Sequence, residues 1–131
     1  MSDSRRQSTE KAPDLRDAVL RALRGRVGQE NVIERAHLVG AIRRMGFAAG
    51  MNYATLDRKV RETIRDLRRD GELICSTSGG GGYWIAKTWE EYNEFSLVEY
   101  RGKIADMAQT LAAMDAAAER KFGTAHQPAL F

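Results

Sequence analysis

The sequence is poor in the residues on which secreted proteins and most enzymes depend. It has one cysteine, Cys75, so no internal disulfide can form, and a reducing, cytoplasmic setting is expected. Its two histidines, His37 and His126, stand far apart. No His or Cys spacing makes a ligand set, so no metal or cofactor is expected. Cys75 has no base near it in sequence and reads as a small buried residue. The chain is therefore read as a non-enzyme. No run approaches eighteen apolar residues, and the opening MSDSRRQSTEKAP has no apolar signal core. Neither a membrane span nor a secretory peptide is expected.

What is present is charge. The chain has 131 residues, 43% hydrophobic and 30% charged, enough for one compact core with extended ends. The net charge of +3 divides unevenly. Residues 1–87 hold 17 Lys and Arg against 11 Asp and Glu, a balance of +6; residues 88–131 hold 4 against 7, a balance of −3. A basic head suits a polyanion, because each phosphate contact releases counterions. Mixed charge that only solvates a surface gives the same composition.

The chain is organised around Thr55 to Lys87. Leu56, Val60, Ile64 and Leu67 recur at spacings of four, four and three, which puts one apolar stripe on a helix. Arg58, Arg61, Arg65, Arg68 and Arg69 run along a different face, and Gly71 is the stop. Two β-prone runs follow, Leu73 to Ser76 and Tyr83 to Ala86, joined by a tip containing Gly79 to Gly82. That tip is not a phosphate-binding P-loop: the Gly-Lys-Ser/Thr ending is missing, and a strand follows it rather than a helix. It reads as a hairpin tip that is mobile until it meets a partner. One of Tyr83 and Trp84 is expected to face the core.

Upstream, residues 1–12 lack apolar periodicity and are expected to be a disordered tail. Pro13 and Asp14 open a first helix carrying Leu15, Val19, Leu20 and Leu23, which ends near Gly25 to Gly28. Asn31, Val32 and Ile33 suggest a short third strand. Arg35 to Met45 repeats a helical pattern through Leu38, Val39 and Ile42, with Gly46 as its stop; a turn around Gly50 precedes the central helix, which starts between Asn52 and Asp57. The fold class expected is mainly α with a small β-hairpin: a winged helix-turn-helix over residues 13–87, followed by a long C-terminal helix.

In that geometry the third helix enters the major groove of DNA by its N-terminal half. Asn52, Tyr53, Thr55, Arg58, Lys59, Arg61 and Arg65 are the candidate contacts, with Ser76, Thr77 and Ser78 offering hydroxyls from the hairpin. Arg58 suits a guanine edge, and Lys59 and Arg61 suit phosphates. The tip itself carries no Lys or Arg, which limits what it adds. Asp57, Glu62, Asp66 and Asp70 lie three or four residues from these arginines, and pairing among them would make an ordinary solvated helix.

Thr88 with Glu91 fits a capping box, so a further helix is expected from Trp89 to about Phe122, with Gly102 its only interruption. Leu97, Ile104, Leu111 and Ala118 fall seven apart, with Tyr100, Met107 and Met114 as companions. This seam, Leu97, Tyr100, Ile104, Met107, Leu111 and Met114, fits either a homodimeric coiled coil or a helix folded back on the first one.

Residues 123–131, GTAHQPALF, are read as a flexible tail exposing Leu130 and Phe131. Gln127-Pro128-Ala129-Leu130-Phe131 resembles the Gln-x-x-Leu-Phe peptide by which bacterial replication and repair proteins dock on the polymerase sliding clamp. The resemblance covers five residues, with proline where leucine is more usual. It implies that Gln127 bonds the rim of a groove and that Leu130 and Phe131 fill an apolar pocket; a tail packed on its own domain is the other reading. More broadly, Val60, Arg61, Ile64, Leu67, Arg68, Gly82, Tyr83 and Trp84 resemble the helix and Gly-Tyr-Trp hairpin of small phage and prophage winged-helix proteins, over about a third of the chain. That family implies DNA binding. The leading expectation is a protein of DNA replication or its control that holds double-stranded DNA and docks on the clamp. A dimeric transcriptional repressor is the alternative, and a protein-interaction module without nucleic acid is a third.

Overall fold

The structure, a computed structural model, describes residues 14–48 and 50–124. The expected tail over residues 1–12 and the peptide Gln127, Leu130 and Phe131 lie outside the described residues. Among the described residues, five helices and three strands follow in chain order: α1 (Leu15–Leu23), β1 (Ile33–Glu34), α2 (Arg35–Arg44), α3 (Tyr53–Arg69), β2 (Ile74–Ser76), β3 (Gly82–Ile85), α4 (Trp89–Ser96) and α5 (Gly102–Phe122). A 3₁₀ turn (Gln29–Asn31) precedes β1, and a π-helical turn (Leu97–Arg101) precedes α5. The chain divides into two units, residues 1–95 and 96–131.

In the first unit each helix starts and stops on local chemistry. Asp14 caps α1 by accepting the Asp17 amide at 2.9 Å, and Asn52 caps α3 by accepting the Thr55 amide at 2.8 Å. At the far end of α3, Gly71 adopts φ +99°. The Glu72 amide returns to the Leu67 carbonyl and the Gly71 amide to that of Arg68, both at 3.0 Å, which is a Schellman stop.

The apolar stripes then meet. Val19 and Leu23 of α1, Leu38, Val39 and Ile42 of α2, and Leu56, Val60, Ile64 and Leu67 of α3 are all buried in one core with Ile33, Ile74 and Tyr83. Burying each such aliphatic side chain contributes about 1.5–3 kcal/mol before the cost of ordering the chain. The four on α3 therefore fix which side of that helix faces in.

The sheet is antiparallel in the order β1-β3-β2. Ile33 pairs with Tyr83, and Cys75 with Trp84. The third strand expected near residues 31–33 therefore exists, shifted to Ile33–Glu34 because residues 29–31 close into the 3₁₀ turn instead. Gly82 lets β1 approach: a Cβ there would stand 2.8 Å from Val32 Cγ2 and 3.2 Å from the Ile33 carbonyl oxygen.

Tyr83 meets the expectation that one of the pair Tyr83 and Trp84 faces the core, with Trp84 buried as well, and the expectation for Gly102 needs correction. Tyr83 and Trp84 are both buried, on opposite faces of β3. Tyr83 joins the main core, while Trp84 packs with Cys75 and Phe95 in a second cluster, so the sheet is covered on both sides. Gly102, expected to interrupt the last helix, is itself the first residue of α5. The irregularity lies one turn earlier. The Gly102 amide bonds the Leu97 carbonyl in the π turn, and a Cβ on residue 102 would stand 2.9 Å from that oxygen.

In the second unit, α5 is regular over 21 residues, and Ile104, Met107, Leu111 and Met114 are 59–70% exposed. No helix of the described residues is long and apolar enough to cross a membrane.

Candidate nucleic-acid interface

Helix geometry sorts the side chains of α3 into sectors. At about 100° per residue, Ala54, Arg58, Arg61, Arg65 and Arg69 fall within an arc of about 80° on the side away from the buried stripe. All five are exposed. The helix carries six basic residues against three acidic ones. Neither Lys59 nor Arg69 has a carboxylate partner among the described residues.

The other arginines do have partners. Arg58 Nη1 lies 3.1 Å from Glu62 Oε2, with both side chains about half exposed, and Arg65 Nε lies 3.6 Å from Asp66 Oδ1 in an equally solvated pair. Such exposed pairs contribute about 0–1 kcal/mol and weaken with salt. They are rearrangeable neighbours rather than fixed contacts.

Asp57 behaves differently. Its side chain is only 12% exposed and sits between two arginines: Arg61 Nε donates to Oδ2 at 3.1 Å, and Arg35 Nε stands 3.0 Å from Oδ1. The Arg35 contact is an ion pair whose N–H does not point along the line between the atoms. Arg35 also donates from Nη1 to the Gly80 carbonyl at 3.1 Å, and its backbone amide bonds the Gly81 carbonyl at 2.9 Å. One residue at the start of α2 thus ties the hairpin tip to the N-terminal half of α3. These two bonds hold the tip against the start of α2.

The remaining expected contacts divide. Asn52 spends its carbonyl oxygen on the cap, Tyr53 is half exposed, and Thr55 and Lys59 are half-buried. Thr77 is committed within the loop: its Oγ1 accepts the Gly82 amide at 3.0 Å, and its backbone pairs with Gly82 and Gly80. Its hydroxyl oxygen is used as an acceptor, which leaves the O–H as the donor. Ser78 is exposed and Ser76 half-buried. Arg68 leaves the outer face altogether. Its Nε donates to the Ile74 carbonyl at 2.7 Å, and its guanidinium lies 5.0 Å from the centroid of the Phe95 ring, so it braces the hairpin from behind.

Sequence reasoning missed the residue that locks this scaffold, Glu91. The expected capping box forms by half, since Thr88 Oγ1 accepts the Glu91 amide at 3.2 Å. The Glu91 carboxylate reaches elsewhere. Oε1 accepts Trp84 Nε1 and the Lys87 amide, and Oε2 accepts the Gln29 amide, all at 3.1 Å. The Lys87 and Gln29 amides, in that order, hold this carboxyl below its ordinary value of 4.5, against the smaller opposing effect of burial. Gln29 is 62 positions away, so only the indole and the acid in one short segment hinted at the contact.

Burial pushes the Cys75 thiol up to about 11, outweighing the downward pull of Arg68, so it is not a nucleophile at neutral pH. His37 is a surface residue, with Nδ1 3.8 Å from Glu34 Oε1. Among the described residues no three His, Cys, Asp or Glu side chains gather as metal ligands. Of the seam residues, Leu97 and Tyr100 are about half exposed. No protein-family model, curated protein or solved structure matches this chain.

Proposed function

We propose that this chain is a winged helix-turn-helix protein that holds double-stranded DNA against α3 and the β2–β3 hairpin. The observation that carries the reading is the outward arginine stripe, Arg58, Arg61, Arg65 and Arg69, on a helix whose opposite side closes the core. Topology supports it. A helix, a short strand, two helices joined by a turn and a hairpin, with the first strand pairing beside the last, is the thread of a winged helix-turn-helix, in which α2 and α3 form the helix pair.

In that arrangement α3 lies in the major groove with Arg58 toward a base edge and Lys59, Arg61, Arg65 and Arg69 toward phosphates. Glu62 and Asp66 give way, because their solvated pairs are worth less than a charge-assisted bond to a polyanion. Asp57 stays in place. Arg61 bonds it through Nε, which leaves both Nη groups for a phosphate. The test is fluorescence anisotropy of the full chain with labelled duplex and single-stranded oligonucleotides at low salt. Duplex binding in preference to single strands is expected. No retention of either would overturn the reading and favour a protein-interaction module.

A role in replication rests on the sequence of residues 127–131 alone. If Gln127, Leu130 and Phe131 dock on the sliding clamp, purified bacterial clamp retains the full chain and loses it when those five residues are removed. The exposed seam on α5 favours a second reading, a dimeric transcriptional regulator. That reading requires a sequence-selected site of two half-sites, with selectivity lost in Arg58→Ala.

A further inference from the structure

The hairpin tip has no positive charge of its own, since no Lys or Arg lies between Arg69 and Lys87. The fold brings one to it from elsewhere. Arg35, the first residue of α2, donates from Nη1 to the Gly80 carbonyl at 3.1 Å, and a Cβ on residue 80 would stand 3.8 Å from the same nitrogen. That guanidinium also places Nε 3.0 Å from Asp57 Oδ1, while Arg61 Nε donates to Asp57 Oδ2 at 3.1 Å. Two arginines from different helices thus share one buried carboxylate. Their Nε atoms stand no more than about 8 Å apart.

Both have donors to spare. A guanidinium carries five N–H groups. Arg35 uses Nε and Nη1, and Arg61 only Nε, so Arg35 Nη2 and both Nη groups of Arg61 bond nothing among the described residues. The two side chains reach solvent, at 36% and 49% exposed. Glu34, the acid beside Arg35 in sequence, is turned to His37 Nδ1 at 3.8 Å.

We propose that Arg35 supplies the charge the hairpin tip lacks, by binding the DNA phosphate next to the one held by Arg61. The inference rests on the DNA reading above and gives it a contact outside α3. Asp57 prepares the pair in two ways. Two guanidinium ions this close repel each other, and the shared carboxylate offsets that repulsion. Long side chains lose rotamer freedom when they grip a ligand, and these two are already held before it arrives. Arg58, Arg61, Arg65 and Arg69 form a line along α3, whereas Arg35 stands to one side of that line, between Arg61 and the tip. The DNA strand gripped at Arg61 therefore leaves α3 in the direction of the hairpin.

Fluorescence anisotropy of the full chain with a labelled duplex over a salt series tests the proposal, at a temperature where melts show every variant folded. Arg35→Gln, whose amide can still donate to Gly80, should lose about 0.9 of the slope of log K against log salt and bind several-fold more weakly at low salt. Arg35→Lys keeps the charge without the planar fork; it should hold the slope to within about 0.3 and lose about threefold in affinity. A residue that only fastens the tip would leave the slope of Arg35→Gln at the wild-type value. That result, with duplex still bound, would overturn the assignment and leave the reading of α3 standing, whereas no duplex binding by the wild type would overturn both. Pyrophosphate separates a free anion from the DNA backbone. At millimolar concentration it should shift the wild-type Tm by less than about 1 °C. A larger rise that Arg35→Gln abolishes, without duplex binding, would make a free anion the occupant and overturn the assignment to DNA.

Discussion

Asp57→Asn should make the protein less stable and yet a tighter DNA binder, and the two effects arise from one carboxylate. Asp57 holds Arg35 on one oxygen and Arg61 on the other, and Arg35 holds the hairpin tip at Gly80 and Gly81. Breaking a fully buried pair would cost about 3–5 kcal/mol. Here the arginine side chains are 36% and 49% exposed, so water recovers much of that, and a cost of about 1–2 kcal/mol is expected. For a unit of this size that is a fall in Tm of roughly 5–15 °C. Urea melts of Asp57→Asn, Arg35→Ala and the double variant should give a coupling of about 1 kcal/mol, with a smaller one for Arg61→Ala, whose side chain is the more solvated. Hydrogen exchange of the Arg35 amide, which bonds Gly81, should accelerate in Asp57→Asn. The substitution also removes a negative charge from the edge of the arginine stripe and releases Arg61 Nε. Affinity for duplex DNA at low salt should rise several-fold. A coupling below about 0.3 kcal/mol, or DNA affinity that falls in step with stability, would refute the role given to Asp57.

Three further outcomes follow from the scaffold. The Glu91 carboxyl is held below 4.5 by the Lys87 and Gln29 amides, so the stability it contributes is fully present above the unfolded value and is lost as pH falls through the folded one. Acid titration of wild type against Glu91→Gln should show a component of unfolding that sets in as pH falls below the ordinary carboxyl value of 4.5 and that the variant lacks. Cys75, buried and shifted up to about 11, should resist a thiol reagent at neutral pH in the native protein and react at once in denaturant. Gly82→Ala should destabilise by about 1–3 kcal/mol in chemical melts, because the new methyl meets Val32 Cγ2 at 2.8 Å and the Ile33 carbonyl oxygen at 3.2 Å on a paired strand.

The parts of the fold that were legible in sequence are those set by short-range periodicity. The stripe Leu56, Val60, Ile64 and Leu67 is buried as its spacing requires, and Asn52 and Gly71 bound the helix through caps that act within a turn. What escaped reading depends on contacts across the chain. Alternation along β3 implied one core face, but the continuous apolar run Tyr83-Trp84-Ile85 marks a strand covered on both sides, by the main core and by Cys75 with Phe95. Asp57 looked like any acid among arginines, because its burial comes from Arg35, 22 positions upstream. The π turn arises from the Leu97 carbonyl meeting a residue without a Cβ, and a lone glycine in a helical pattern reads only as an interruption. Of the arginine row, Arg58, Arg61, Arg65 and Arg69 are exposed, while Arg68 turns to the Ile74 carbonyl and the Phe95 ring, and Thr77 closes the hairpin turn through its hydroxyl oxygen.

The most direct test of the central claim is the salt dependence of duplex binding by the full chain and by Arg58→Ala/Arg65→Ala/Arg69→Ala. These three arginines are exposed, and none of them holds the core. Each phosphate contact contributes about 0.9 to the slope of log K against log salt. If α3 lies on DNA, the wild type should show a slope of about −4, and the triple variant should lose about 2 of it, the share of Arg65 and Arg69, while keeping its Tm. A triple variant with the wild-type slope would show that DNA, if bound at all, is held elsewhere on the molecule.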